Sequence, residues 1–177
     1  MKNRDITITV LGIREADIVS HDYDHVISLV HSTPEINRMF LNKFPKGILK
    51  SHLHIEFDDV VNHELPLAPK KHQVQHAIEY VRENVKDGEK IIIHCHAGVS
   101  RSTAIAIGVL MQVCGLDAYD AYEYVKDIRP QMWPNKLIIG HLDEIYGHGG
   151  FLVLHDEEWK ITNDGLYWPP QGPHKRG

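Results

Sequence analysis

Short apolar runs alternate with longer segments of helical periodicity along most of this 177-residue chain. Ile6–Val10 and Leu53–Phe57 alternate apolar and polar residues, which is typical of strands that bury one face. Val26–Val30 and Ile91–His94 are more continuously apolar, as expected of central strands that are buried on both faces. These four runs are the predicted strands.

Helices are predicted between and after the strands, where apolar residues recur at intervals of three or four. One would start at Thr33-Pro34 and run to about Phe40, and another would start after Pro69 and end at Asp87-Gly88. Three more would follow the last strand, with boundary signals at Gly115, Asp117 and Asn135. Strands that alternate with helices predict an α/β fold, in which helices flank a central, mostly parallel sheet of about four or five strands.

The composition of the chain changes after Tyr146. Several glycines loosen the chain, residues 151–154 and 159–162 look extended, and Asn163-Asp164-Gly165 is typical of a turn. We therefore predict a domain at residues 1–146 and a C-terminal extension at residues 147–177 that forms a β-hairpin. Its aromatic residues are expected to pack on their own domain, and an arm that binds a partner is the alternative.

The overall composition predicts a cytoplasmic globular protein, with 42% hydrophobic and 24% charged residues. The net charge of −5 does not favour binding to nucleic acid or to an anionic membrane. Two cysteines are too few for a disulfide framework. Fourteen histidines suggest a metal site, but they are scattered, and His72 and His76 lack the further ligands that zinc needs. We expect neither a metal nor a cofactor, and the oligomeric state is left open.

One segment carries residues that are suited to chemistry: His94-Cys95-His96-Ala97-Gly98-Val99-Ser100-Arg101-Ser102. It lies between a predicted strand and a predicted helix. Five residues with a central glycine can bend the backbone so that successive N–H groups point at one tetrahedral oxyanion. The positive end of the helix and the Arg101 guanidinium would strengthen this field. The same charges should hold Cys95 as a thiolate, its nucleophilic form.

This segment resembles the active-site loop of the cysteine-based protein tyrosine phosphatases, His-Cys-x-x-Gly-x-x-Arg-Ser/Thr. It is most similar to the dual-specificity branch and to the small bacterial phosphatases related to it. The resemblance covers about residues 20–146 and implies a phosphotyrosine protein phosphatase-like fold, with Cys95 at the carboxyl end of a central strand. The residues that would hold the phosphate are His96, Ala97, Gly98, Val99, Ser100 and Arg101.

The family also uses an aspartate some three dozen residues before the cysteine, which protonates the leaving oxygen. In this chain Leu53–Phe57 leads into Asp58-Asp59-Val60. Aligning its apolar alternation with the family pattern gives that role to Asp59. Asp58 is the alternative, and both could simply be solvated acids at a strand end.

The same resemblance gives further residues a role. Ser102 would help the sulfur leave, besides any capping role at the helix start. His94 would donate a hydrogen bond that holds the loop, and the amide of Asn135 would brace the loop from behind. We expect His96 to face solvent, although lipid phosphatases of the superfamily often carry a lysine there or elsewhere in the loop. Cys114 is expected to be a core residue.

The sequence therefore predicts a metal-independent phosphomonoester hydrolase that acts through a phosphocysteine intermediate. Its substrates would be phosphorylated proteins, with loose selectivity between phosphotyrosine and phosphoserine or phosphothreonine, or small phosphomonoesters. Alternatives are the same chemistry on inositol phosphates, phosphoinositides or RNA 5′-phosphates, a phosphate-binding module without turnover, and rhodanese-like sulfur transfer. A low-molecular-weight phosphatase or an arsenate reductase would carry its loop near the amino terminus, so the position of Cys95 disfavours both.

Overall fold

The computed structural model describes residues 3–31 and 49–163, so the helix predicted from Thr33 to Phe40 lies outside it. The described strands are β1 (Thr7–Gly12), β2 (His25–Val30), β3 (Ser51–Glu56) and β4 (Lys90–Cys95). They form a single sheet in the order β1-β4-β2-β3, and every neighbouring pair is parallel. The two continuously apolar runs are the central strands β2 and β4, as their sequence predicts.

Six α-helices are described: α1 (Ile13–Val19), α2 (Lys71–Asn84), α3 (Arg101–Val109), α4 (Ala118–Ile128), α5 (Lys136–Tyr146) and α6 (Phe151–Asn163). A short 3₁₀ turn follows α1, and α3 continues into a π-helical turn (Leu110–Cys114) that ends at Gly115. The parallel sheet and its flanking helices confirm the predicted fold class. Within the described ranges, no helix combines the length and the apolarity needed to cross a membrane.

Both faces of the sheet are covered. Ile91 and Ile93 belong to a large core to which α2–α6 contribute, whereas Ile92 packs with Ala16 of α1 and Val26 in a smaller cluster. Successive residues of a strand point to opposite faces, so an uninterrupted apolar run is what a doubly covered strand needs. Every residue of α3 is buried. The loop between β4 and α3 is therefore anchored at both ends in the interior.

Residues 151–163 form the helix α6, so the predicted β-hairpin is wrong for this part of the extension. Leu152 and Asp156 are its buried residues, one helical turn apart. The carboxylate of Asp143 on α5 accepts hydrogen bonds from the backbone amides of Leu152 and Val153, both at 3.0 Å, and thereby caps the first turn. A short apolar run does not distinguish a strand from a helix. The rest of the predicted hairpin, from Asp164, lies outside the described residues.

Candidate active site

The loop of residues 95–101 is wrapped tightly against the end of β1. Gly12 lies beside Cys95 in the sheet register, and the backbone N–H of Ile13 donates to the carbonyl of His96 at 3.1 Å. Gly98 has a positive φ of 70°, and a Cβ atom there would lie 2.2 Å from the backbone nitrogen of Gly12. Only glycine fits this position, because a side chain would meet both a strained backbone and a neighbouring strand.

The Cys95 sulfur lies inside this loop and is almost fully buried. Its Sγ accepts a hydrogen bond from the backbone N–H of Gly98 at 3.3 Å, and Ser102 Oγ lies 3.2 Å away. A backbone N–H and a hydroxyl therefore both lie within hydrogen-bond distance of the sulfur.

The Arg101 guanidinium is buried at the start of α3, with 3% of the residue exposed. Nη1 donates to the carbonyl of Phe57 at 2.8 Å, which fixes the direction of the side chain. Nε is buried and has no hydrogen-bond partner among the described residues. A buried N–H without an acceptor needs a functional explanation, and an oxyanion held in the 95–101 loop supplies one.

The two adjacent aspartates after β3 lie in different surroundings. Asp59 Oδ1 accepts hydrogen bonds from Ser100 Oγ at 2.7 Å and from Asn135 Nδ2 at 2.8 Å. Asp59 Oδ2 lies 3.9 Å from Arg101 Nε. The carboxylate of Asp58 instead pairs with His31 at 3.3 Å. Of the two candidates for the acid, the structure brings Asp59 to the 95–101 loop.

Asn135 holds the aspartate loop rather than bracing the 95–101 loop with its amide. Its Nδ2 donates to Asp59 and also to the carbonyl of Val60 at 3.1 Å. Only its backbone N–H reaches the 95–101 loop, at the carbonyl of Ser100, 3.3 Å away. The role taken from the resemblance is corrected on this point, because Oδ1 is used as the N-cap of α5 and turns the amide toward Asp59. The backbone amides that it caps belong to Leu137 and Ile138, at 3.1 and 3.2 Å.

A pair of residues absent from the predicted site holds the 95–101 loop from outside. Arg129 donates through Nε to the carbonyl of Gly98 at 2.9 Å and through Nη2 to that of Ala97 at 3.2 Å. The carboxylate of Glu15 accepts hydrogen bonds from both terminal nitrogens of this guanidinium, at 3.1 and 2.8 Å. It also accepts one from the backbone N–H of Gly12, at 2.6 Å. The hydrogen bond from Arg129 holds the pKa of Glu15 below its usual range. The spacing from Gly12 to Glu15 is that of a capping box, but a lone arginine carries no comparable signal.

His94 connects Cys95 to a row of hydrogen-bonded polar residues that crosses the sheet. Its Nδ1 lies 3.4 Å from the carbonyl of Cys95 and its Nε2 lies 2.6 Å from Ser28 Oγ. Ser28 Oγ is also 2.7 Å from His52 Nε2, and His52 Nδ1 is 3.2 Å from His54 Nε2. Burial lowers the pKa of His94 to about 4 and that of His52 to about 3, so both rings are neutral near pH 7.

The carbonyl of Cys95 sets the direction of the hydrogen bonds along this row of polar residues. The neutral ring of His94 carries one N–H, and the carbonyl of Cys95 can only accept. The proton therefore lies on Nδ1, and the Ser28 hydroxyl donates to Nε2. Ser28 in turn accepts from His52. Ser28 and His52 thus hold His94 in the tautomer that donates to the carbonyl of Cys95.

The other residues considered as site candidates lie apart from the sulfur. His96 is exposed in the loop, and His72 and His76 lie on α2. Cys114 ends the π-helical turn, roughly 20 Å from the start of α3 at 1.5 Å per residue, which is too far for a disulfide with Cys95. Over the ranges described, no group of three or more His, Cys, Asp or Glu side chains could hold a metal ion.

Comparisons with known proteins agree with this geometry. Residues 14–147 match the family profile of the dual specificity phosphatase catalytic domain. Human dual specificity protein phosphatase 8 is 41% identical over 97 residues, which are 55% of this chain and 15% of that protein. Tyrosine-protein phosphatase pmp1 of Schizosaccharomyces pombe is 36% identical over 117 residues, 58% of this chain and 42% of that protein. The chain spans less than half the length of these two relatives.

Solved structures share the fold. Human DUSP28 superposes with a TM-score of 0.60 at 17% identity, over 88% of this chain and 94% of that one. Tk-PTP in its active form superposes with a TM-score of 0.54 at 24% identity, over 80% and 91% of the two chains. The family profile covers most of the chain, including the whole of the 95–101 loop. The chain therefore belongs to the dual specificity phosphatase catalytic-domain family of the cysteine-based protein tyrosine phosphatases.

Proposed function

We propose that this chain hydrolyses phosphomonoesters, with phosphorylated proteins as its main substrates, through a phosphocysteine intermediate on Cys95. The observation that supports this best is the convergence of three groups on one loop. The Cys95 sulfur accepts a backbone N–H inside the loop, and the buried Arg101 guanidinium closes it. The carboxyl group of Asp59 lies 3.9 Å from that guanidinium.

In the first step the Cys95 thiolate attacks phosphorus, and the bond from phosphorus to the ester oxygen breaks. Arg101 and the loop amides hold the three non-bridging oxygens, where the charge of the transition state is spread. Protonated Asp59 gives its proton to the departing oxygen, so an alcohol or phenol leaves and Asp59 becomes a carboxylate.

In the second step a water molecule attacks phosphocysteine and the bond between phosphorus and sulfur breaks. The Asp59 carboxylate takes the proton of the attacking water, which restores the acid. The Ser102 hydroxyl donates to Sγ as negative charge returns to it, and inorganic phosphate is released. Arg129 and Glu15 keep the loop carbonyls turned outward during both steps, so that the loop amides can face the phosphate.

Hydrolysis of p-nitrophenyl phosphate in EDTA by reduced protein tests the proposal. Wild-type protein should turn over, and Cys95→Ser should lose at least about a thousandfold in kcat, because a serine hydroxyl is a far weaker nucleophile at neutral pH. Binding of phosphate without turnover by the wild type would instead indicate a phosphate-binding module.

A lipid or another small phosphomonoester is the second candidate substrate class. The phosphatidylglycerophosphate phosphatase PTPMT1 of Arabidopsis thaliana is 30% identical over 97 residues, 55% of this chain and 28% of that protein. The net charge of −5 disfavours polyanionic ligands. We therefore expect phosphotyrosine and phosphothreonine peptides to be hydrolysed within about a thousandfold of each other in kcat/KM, and both faster than phosphatidylglycerophosphate in mixed micelles. The reverse order would favour the lipid.

A further inference from the structure

The loop of residues 129–135 lies between the 95–101 loop and helix α6. On one side the backbone N–H of Trp133 donates to the carbonyl of Val99 at 2.8 Å. On the other side Lys160 Nζ of α6 donates to the carbonyl of Pro134 at 2.5 Å. Pro134 immediately precedes Asn135, whose side chain holds Asp59. A short path of contacts therefore leads from α6 to the acid.

Lys160 is fixed by a largely buried network. Its Nζ lies 2.7 Å from Asp156 Oδ2, and the hydroxyl of Tyr122 donates to Asp156 Oδ1 at 2.9 Å. Asp156 is completely buried, and the ammonium group of Lys160 lies 5.4 Å from the centre of the Trp133 ring. A buried charge that loses its partner is strongly destabilising, so the network holds Nζ in one place.

The charge of Lys160 also reaches the active site. Burial lowers the pKa of Lys160, and the carboxylates of Asp156 and Asp59 oppose this shift. The electrostatic interaction with Asp59 shows that the ammonium group of Lys160 lies near the active site. This agrees with the path of contacts through Pro134 and Asn135.

We propose that Lys160 is a positioning residue for Asp59, acting through the carbonyl of Pro134 and the side chain of Asn135. Residues 14–147 match the family profile, so α6 lies outside the matched part of the chain. This extension is then a working part of the site and not only a cover for the core. The inference rests on the proposed function, because it assigns Lys160 to the acid of that reaction.

Leaving-group dependence separates this role from simple packing. An acid matters most when the departing oxygen is basic and little when it is already a good leaving group. Lys160→Met keeps most of the side-chain volume and removes the donor and the charge. We expect its kcat/KM for phenyl phosphate, which reports only the steps up to cleavage of the ester bond, to fall about tenfold or more, and its kcat/KM for 2,4-dinitrophenyl phosphate to fall less than about threefold.

Two further variants keep the test decisive. Lys71→Met removes another lysine that joins two helices, α2 and α5, through Glu144, and should leave both rates unchanged. Lys160→Arg keeps a donor and the positive charge that pairs with buried Asp156, so it should fold even where Lys160→Met does not, and should show a smaller defect of the same kind. Equal losses on the two esters, or no loss in a folded variant, would overturn the proposal.

Amide hydrogen exchange gives a readout that does not need turnover. The backbone N–H of Asn135 donates to the carbonyl of Ser100, so its exchange should become faster in Lys160→Met and stay unchanged in Lys71→Met. An inactive wild type would contradict the proposed function alone. Unchanged exchange at Asn135 in Lys160→Met would contradict the positioning role whether or not the wild type is active.

Discussion

Asn135 and Asp59 are joined by a hydrogen bond of 2.8 Å, from Asn135 Nδ2 to Asp59 Oδ1. The other amide atom, Oδ1, caps the first turn of α5. A single side chain therefore fixes both the start of a helix and the position of Asp59. This hydrogen bond joins two segments that are 76 residues apart in the chain, next to the 95–101 loop.

Replacing Asn135 should separate its two roles. Asn135→Ala removes both, so it should lower the free energy of unfolding by about 1 kcal/mol and also lower kcat. Asn135→Asp keeps a capping oxygen but places a carboxylate where Asp59 accepted a donor. Its thermal stability should stay closer to that of the wild type, while kcat for phenyl phosphate should fall about tenfold or more. Wild-type kcat in folded Asn135→Asp would disprove the link to the acid.

Asp59 and Asp58 form a matched pair for identifying the acid. Asp59→Asn should lower kcat by about a hundredfold or more, and Asp58→Asn by less than about threefold. Steady-state kinetics of the two variants with phenyl phosphate measure both defects, and a larger defect in Asp58→Asn would assign the acid to the other residue.

Arg129 and Glu15 should act as one unit on the 95–101 loop. Arg129→Met removes donors to two loop carbonyls, and Glu15→Gln weakens the charge that holds Arg129. Each should raise the inhibition constant of phosphate, because a loosened loop binds the oxyanion less well. The double variant should be less defective than the two single losses predict, with a coupling of about 1 to 3 kcal/mol.

Arg82→Met is the matched control for the arginine, since Arg82 pairs on the surface with Glu83. It should leave phosphate binding unchanged. Full additivity of the Arg129 and Glu15 variants would mean that the two residues support the loop separately.

The polar chain through His94 makes stability depend on pH. Burial lowers the pKa of His94 to about 4, so between pH 6.5 and 4 the unfolded chain binds a proton that the folded chain does not. This difference in proton binding has no effect on the free energy of unfolding above pH 6.5. Below pH 6.5 it lowers the free energy of unfolding as the pH falls. His94→Asn should therefore lose about 1 to 2 kcal/mol less than the wild type between pH 7 and pH 5. Equal losses in denaturant unfolding at the two pH values would show that His94 does not titrate in this way.

Ser28 should determine the tautomer of His94 although it does not contact the Cys95 sulfur. Ser28→Ala removes the donor to His94 Nε2, so NMR of the imidazole nitrogens should show a mixture of tautomers in place of the Nδ1–H form alone. Ser28→Thr keeps the hydroxyl and should restore the single tautomer. An unchanged ring in Ser28→Ala would contradict the assigned direction of the chain.

The central features could be predicted because their signals are local in sequence. The 95–101 loop carries its cysteine, glycine and arginine within a few residues, and its flanking strand and helix have clear apolar patterns. Strands β2 and β4 could be predicted because each is a nearly continuous apolar run, as a strand buried on both faces requires. Asp59 could be chosen over Asp58 only through the family pattern, and the structure places it by the loop.

The supporting residues could not be predicted because their partners are distant in the chain. Arg129 forms an ion pair with Glu15, and Lys160 donates a hydrogen bond to Pro134. The sequence separation of neither pair is typical of a known motif. The hairpin prediction failed for a different reason. The apolar residues after Phe151 fit either a strand or a helix, and no signal within the run shows that Asp143 of α5 caps its first turn.

Detection of phosphate on Cys95 tests the account most directly. Ser102 Oγ lies 3.2 Å from Sγ, so Ser102→Ala should slow departure of the sulfur more than its attack. Rapid mixing of this variant with p-nitrophenyl phosphate should give a burst of about one nitrophenolate per protein, and mass spectrometry after acid quenching should find one phosphate on Cys95. Steady turnover without a phosphorylated protein, or phosphate on another residue, would contradict a phosphocysteine mechanism.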